Sequence, residues 1–176
     1  LYTTLASDAT SYNWSVTGAG NSISGIGTTG TVTWAAGYSG TATVSVTANG
    51  CNGPSASAST TVTVRPTPTA TISGTVTVCL GAASPNITFT NPQALAETVT
   101  YNINGGGPAT INVAANSAAT VAAPTGVAGT FNYNLVSVVY QTAPTCSNAI
   151  AGTAIVTVTP TVGTPSTPTP SATTIC

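Results

Sequence analysis

In Ser11-Tyr12-Asn13-Trp14-Ser15-Val16 every second side chain is large and apolar, and the same two-residue period recurs along almost the whole chain. It appears at Val32 and Trp34, at Ala42, Val44, Val46 and Ala48, and at Val62 and Val64. A second series runs through Val76 and Val78, Ile87 and Phe89, Val99, Tyr101 and Ile103, and Ile111 and Val113. It continues through Ala119, Val121 and Ala123, Phe131, Tyr133 and Leu135, and Ala154, Val156 and Val158. A period of two places each group on one face of a strand, and no stretch carries a competing helical period. Between the runs lie Gly18-Ala19-Gly20, Asn49-Gly50, Asn104-Gly105-Gly106-Gly107-Pro108 and Pro124-Thr125-Gly126, residues that supply positive or fixed φ for tight turns. Short alternating strands punctuated in this way predict an all-β chain of sandwich type.

Charge is nearly absent. The 176 residues contain one basic side chain, Arg65, two acidic ones, Asp8 and Glu97, and neither histidine nor methionine, while 41% are hydrophobic. Disordered chains combine low hydrophobicity with high net charge, so this composition points to folded material. Its poverty in ionisable groups removes whole classes of function. General acid–base catalysis needs a His, carboxylate, Lys or perturbed Cys or Tyr beside a partner, and Asp8 and Glu97 are expected in different domains. Two acids and four dispersed cysteines form neither a calcium nor a zinc set, and a single arginine cannot neutralise a nucleic-acid backbone. No enzyme activity, cofactor, metal or nucleic-acid partner is therefore expected. No run of 18 apolar residues and no basic-then-apolar leader comes after Leu1, so neither membrane insertion nor an export signal within these residues is expected.

Each series ends in a Thr/Val strand followed by proline, Thr61-Val62-Thr63-Val64-Arg65-Pro66 and Ile155-Val156-Thr157-Val158-Thr159-Pro160. Proline cannot donate to a ladder, and it stiffens the chain beyond the strand. The boundaries this implies are a first sandwich over 1–66, truncated at its N-terminus, a second over 67–160, and over 161–176 a Pro/Thr linker with the first strand of a further repeat. The cysteines repeat one spacing: Cys51 and Cys146 each precede a final strand, while Cys79 and Cys176 each come after a Thr/Pro stretch. Pairing an early with a late cysteine predicts a Cys79–Cys146 disulfide, closing about 67 residues and worth about 4 kcal/mol of lost denatured-state entropy. Cys51 and Cys176 would then find partners outside the sequence, the chain being a window on a longer tandem array. Two alternatives stay open: a Cys51–Cys176 bridge, and a subunit whose ends complete one another head to tail.

Ser11-Tyr12-Asn13-Trp14-Ser15-Val16 resembles the Tyr-x-Trp core of PKD-like domains. Gly30-Thr31-Val32-Thr33-Trp34, with Gly40-Thr41-Ala42-Thr43-Val44-Ser45-Val46, resembles the PKD-like and immunoglobulin-like repeats of giant secreted surface proteins of Bacteroidota, such as gliding-motility adhesins. Ile87-Thr88-Phe89-Thr90-Asn91-Pro92 and Tyr101-Asn102-Ile103-Asn104-Gly105-Gly106 are similar to the module that alternates with them. The resemblance implies two tandem immunoglobulin-like (PKD-like) β-sandwich domains joined by a Pro/Thr linker, export by the type IX secretion system, and an extracellular, cell-surface place. Where that family follows its Trp with acidic residues and glycine, this chain has Ser15, Val16 and Thr17, so no cation-linked role carries over to that loop.

Trp14 and Trp34 are in phase with Val16 and Val32, which predicts core aromatics in place of a sugar-stacking platform; Tyr2, Tyr38 and Tyr140, less clearly phased, are the better candidates for exposed contacts. Asn13-Trp14-Ser15 and Asn86-Ile87-Thr88 match the glycosylation sequon but fall within predicted strands. Two function classes survive. One is a stalk or filament segment of an adhesin, partnered by neighbouring repeats and by lateral self-association. The other is a polysaccharide- or protein-binding module of a secreted enzyme, which should show an exposed aromatic patch.

Overall fold

The computed structural model describes residues 1–169, and among them every regular element is a β-strand. They fall into two compact units, Leu1–Thr67 and a second beginning at Pro68.

The first unit contains β1 (Tyr2–Thr3), β2 (Ser11–Val16), β3 (Ser22–Ser24), β4 (Thr29–Thr33), β5 (Gly40–Gly50), β6 (Gly53–Pro54) and β7 (Ala58–Val64). One sheet has the order β1-β4-β3. In the other β5 is central, flanked by β2 on one side and by β6 and β7 on the other. All pairings are antiparallel, β5 meeting β7 from Gly40 opposite Val64 to Val46 opposite Ala58. The two sheets meet where the Trp14 ring lies over Gly30, at which a Cβ would stand 2.6 Å from the indole, so only glycine lets them approach. Few apolar side chains become buried in this unit: Tyr12, Ala42, Val44 and Val46.

The second unit contains β8 (Thr71–Ser73), β9 (Val76–Cys79), β10 (Asn86–Asn91), β11 (Glu97–Ile103), β12 (Ala109–Val113), β13 (Ser117–Ala122), β14 (Gly129–Tyr140), β15 (Ser147–Ala149) and β16 (Thr153–Thr159). One sheet runs β13-β10-β8 and the other β12-β11-β14-β16-β9, with β15 on the end of β14. Their inner faces share one core, in which Phe89 of β10 meets Tyr101 of β11 with ring centroids 4.8 Å apart, and Tyr101 stacks on Tyr133 of β14. This is a β-sandwich. The entering chain serves both sheets: β8 pairs antiparallel with β10, and β9 pairs parallel with β16. The switch occurs at Gly74, whose φ of +113° and approach to the Asn86 carbonyl leave no room for a side chain.

The stretch after Pro66 that reads as linker is largely structural. Pro68 is fully buried, Ala70 belongs to the core and Ile72 packs against it. The short strands β1, β3, β6, β8 and β15 carry too few alternations to register as a period.

Chain direction gives the second unit two distinct ends. The Pro68 carbonyl accepts a hydrogen bond from Asn148 Nδ2 (3.1 Å), so the chain enters beside the loop between β14 and β15. It leaves after Thr159, where Gly129 begins β14. At about 3.3 Å per residue, the stretch of β14 from Val138, opposite Asn148, to Gly129, opposite Val158, separates entry from exit by about 30 Å.

Candidate functional site

The two ends of the second unit fix where its cysteines lie. Cys51 lies in the turn between β5 and β6, and Cys146 between β14 and β15, where its carbonyl accepts from Tyr140 N at 3.0 Å. These are matching places, as the parallel spacing implies. Cys79 closes β9, opposite Thr159. It therefore sits at the exit end of its unit while Cys146 sits at the entry end, about 40 Å away along β14. A disulfide requires Cα atoms within about 7 Å, so the expected Cys79–Cys146 bridge is corrected: both are free thiols, as is Cys51. The spacing pattern located an early and a late cysteine. It could not show that the early strand runs from one end of the sandwich to the other before reaching its cysteine. Cys176 lies outside the described residues.

The aromatic expectations divide. Trp14 and Trp34 are half-buried, and neither belongs to the fully buried core. Trp14 Nε1 donates to the Gly27 carbonyl (3.0 Å), whereas Trp34 lies just beyond β4 and stacks on Tyr38, centroids 5.9 Å apart and rings 10° from parallel. Tyr38 is fixed in turn by donating from its hydroxyl to the Thr41 carbonyl (3.1 Å). Tyr140, read as a candidate exposed contact, is 1% exposed, because a β-bulge opposite Thr100 and Tyr101 shifts the inward face of β14 from Tyr133 and Leu135 to Val138 and Tyr140. Asn13 and Asn86 are exposed, each within a strand.

Ionisable groups are scattered. Asp8, with φ of +58°, occupies an exposed turn whose carbonyl closely approaches Gly50. Glu97 is fully buried in the second unit without a hydrogen-bond partner for either carboxylate oxygen, and desolvation raises its pKa to about 7. No group of three potential metal ligands occurs among the described residues.

The feature that most separates the units is an edge. In both, a long central strand starts at a glycine of positive φ paired with the last valine of the final strand: Gly40 with Val64, Gly129 with Val158. Superposing these registers makes Val62, Thr63 and Val64 equivalent to Val156, Thr157 and Val158. The second unit covers this strand with the parallel β9, and Val156 and Val158 are 0% and 2% exposed. Among the described residues β7 pairs only with β5, and Val62 and Val64 remain half-buried. Beside this edge an open cleft of about 190 Å³ runs between the sheets, lined by Tyr2, Trp14, Val44, Val46 and Ala58–Thr60.

No protein-family model and no curated protein sequence matches the chain.

Proposed function

We propose that the chain is a structural repeat segment, a stalk or filament, of a secreted bacterial cell-surface adhesin, holding a distal binding tip away from the cell. The observation that carries this reading is the path of the second unit, which enters at one end of its sandwich and leaves at the other. Units of that kind joined in series add length. The strand order β13-β10-β8 against β12-β11-β14-β16-β9 supports an immunoglobulin-like assignment, in which the first strand divides between the sheets. The second and last strands of that unit, β9 and β16, lie side by side and parallel. Tension between the two ends therefore loads their hydrogen bonds in shear, all at once. Scarcity of charge adds to durability outside the cell, since Arg65 is the one trypsin-type cleavage position and Pro66 comes directly after it. The Tyr-x-Trp and Gly-Thr-x-Thr-Val resemblance supports the adhesin setting and export by the type IX route.

Electron microscopy of several copies fused in series tests the reading. Rods that lengthen by a fixed step with each added copy, of at least about 30 Å for the second unit, are expected; compact particles of unchanged length would exclude a stalk.

The Trp34–Tyr38 stack supports a second reading, a carbohydrate-binding module, because two nearly parallel rings form a flat apolar step. Calorimetric titration with soluble polysaccharides, repeated on Trp34→Ala, decides it: binding lost in the variant supports the module, and no heat with the parent removes it.

A further inference from the structure

We infer that the cleft between β1 and β7 is a strand-acceptor site. It takes, from a different polypeptide, an extended uncharged segment whose backbone pairs with β1 and whose β-branched aliphatic side chain enters the cleft. The inference concerns the first unit alone and stands apart from the stalk reading.

The inward face of β7 is left open at one end. Ala58 and Thr60 are in phase with the half-buried Val62 and Val64, so they lie on the side of β7 turned to the sandwich interior, yet both are exposed. They stand opposite the buried Val46 and Val44 of β5. Between Ala58 and Val64 the strand carries no charge, proline or bulge, the devices that ordinarily guard a sheet edge.

The second unit shows what such a face takes. Counted from the pairs Gly40/Val64 and Gly129/Val158, Thr60 opposite Val44 is equivalent to Ala154 opposite Tyr133. Ala58 opposite Val46 is equivalent to Gly152, whose carbonyl accepts from Leu135 N at 2.8 Å. Trp14, opposite Val46, is then equivalent to Tyr101, opposite Leu135. Cover differs at these places: Ala154 and Tyr101 are 0% and 6% exposed, whereas Thr60 is exposed and Trp14 half-buried. The difference is β8. Its Ile72 stands opposite Phe89 of β10, with Cγ2 3.3 Å from where a Cβ on Gly152 would stand.

β1 is the counterpart of β10. Each directly precedes the strand that bears Trp14 or Tyr101, and each pairs antiparallel with a later strand of its sheet. β10 lies between β13 and β8, whereas among the described residues β1 pairs with β4 alone. The cleft of about 190 Å³ lies between β1 and β7, with Tyr2, Thr4, Trp14, Ala58 and Thr60 in its wall. It stands where Ile72 enters the second unit.

The wall selects the occupant. No lining residue is charged, and aromatic and aliphatic surface alternates there with Ser and Thr hydroxyls, so a charged side chain would lose its water without gaining a partner. The fitting segment has the character of Thr71-Ile72-Ser73, a β-branched aliphatic residue flanked by Ser or Thr. Main-chain bonds to β1 supply affinity and the cleft supplies selection. Among the described residues every stretch of that character has its central residue in a paired strand, and further copies of the chain have the same strands occupied. The occupant therefore belongs to a different polypeptide.

The test is a nuclear magnetic resonance titration of the full chain, under reducing conditions, with a synthetic peptide of residues 67–78 as the probe. The peptide should shift the amides of Ala58, Ser59 and Thr60 and the Trp14 indole resonance, and a peptide carrying Ile72→Ser should bind at least about tenfold more weakly. Thr60→Asp, at an exposed position, should abolish binding, while Thr61→Asp, on the opposite face of β7, should bind as the parent. No binding, equal binding by the Ile72→Ser peptide, or shifts confined to β10 and β16, as exchange with the chain's own β8 would produce, would overturn the inference. Ala58 and Thr60 amides already protected in the peptide-free 17.0 kDa monomer would show the cleft filled from within, and concentration-dependent association lost in Thr60→Asp would show it filled by a second copy. Either would overturn the inference as well. None of these outcomes affects the rod test of the stalk.

Discussion

Glu97 stands directly opposite Tyr140 in the antiparallel register of β11 and β14, and both side chains are buried, at 0% and 1% exposure. Burial disfavours the carboxylate, raising its pKa from 4.5 to about 7. A carboxyl group whose folded pKa is raised favours folding while protonated. Below pH 4.5 its contribution is fully present; between 4.5 and 7 the unfolded chain releases a proton that the folded chain retains, and stability falls. The shift corresponds to a loss of about 3 kcal/mol. Urea denaturation of the parent should show this decline, and Glu97→Gln should flatten it and be the more stable of the two at about pH 8.

Asn91 holds two turns of the second unit together. Its side chain is 1% exposed, Nδ2 donates to the carbonyls of Leu95 (2.8 Å) and Ala114 (3.0 Å), and Oδ1 accepts from Gln93 N (2.7 Å). Replacing it by alanine strands these backbone groups in a dry site. Asn91→Ala should lower the stability of that unit by about 2–4 kcal/mol, read from the denaturation midpoint at unchanged slope.

Gly30 is the contact point of the sheets in the first unit. Gly30→Ala would set a methyl 2.6 Å from the Trp14 indole, and the ring must move away from its bond to the Gly27 carbonyl. A red-shifted tryptophan emission and a loss of about 1–3 kcal/mol are expected.

Val62 and Val156 are equivalent in register but differ in cover. Val156→Ala should cost about 2 kcal/mol, and Val62→Ala about 1 kcal/mol or less, by denaturation monitored separately for each unit. Equal losses would mean that the β7 edge is as well covered as that of β16.

Most of the fold was legible in the sequence because the signal is strict. Alternation placed β2, β5, β7, β10, β11, β14 and β16 where they lie, and inward residues such as Val44, Phe89, Tyr101 and Val156 are buried. Trp34 obeys the same alternation with Val32, yet the ladder ends at Thr33 and the ring turns aside to stack on Tyr38, a tertiary choice that period two does not encode. The cysteine pattern set Cys51 and Cys146 each after a long strand and before the final one, and they lie after β5 and β14 and before β7 and β16. It failed for Cys79, because Gly74 lets a single entering strand cross between sheets and reach the far end. The open edge of β7 could not be read at all, since exposure of a final strand depends on what lies beside it.

Pulling on the two ends of the chain in a single-molecule force experiment bears most directly on the proposed stalk function. With β9 and β16 sheared in parallel, the second unit should rupture last, at the higher force, releasing about 300 Å of contour for its roughly ninety residues. Rupture of the second unit before the first, or its peeling apart gradually at low force, would contradict a tension-bearing stalk.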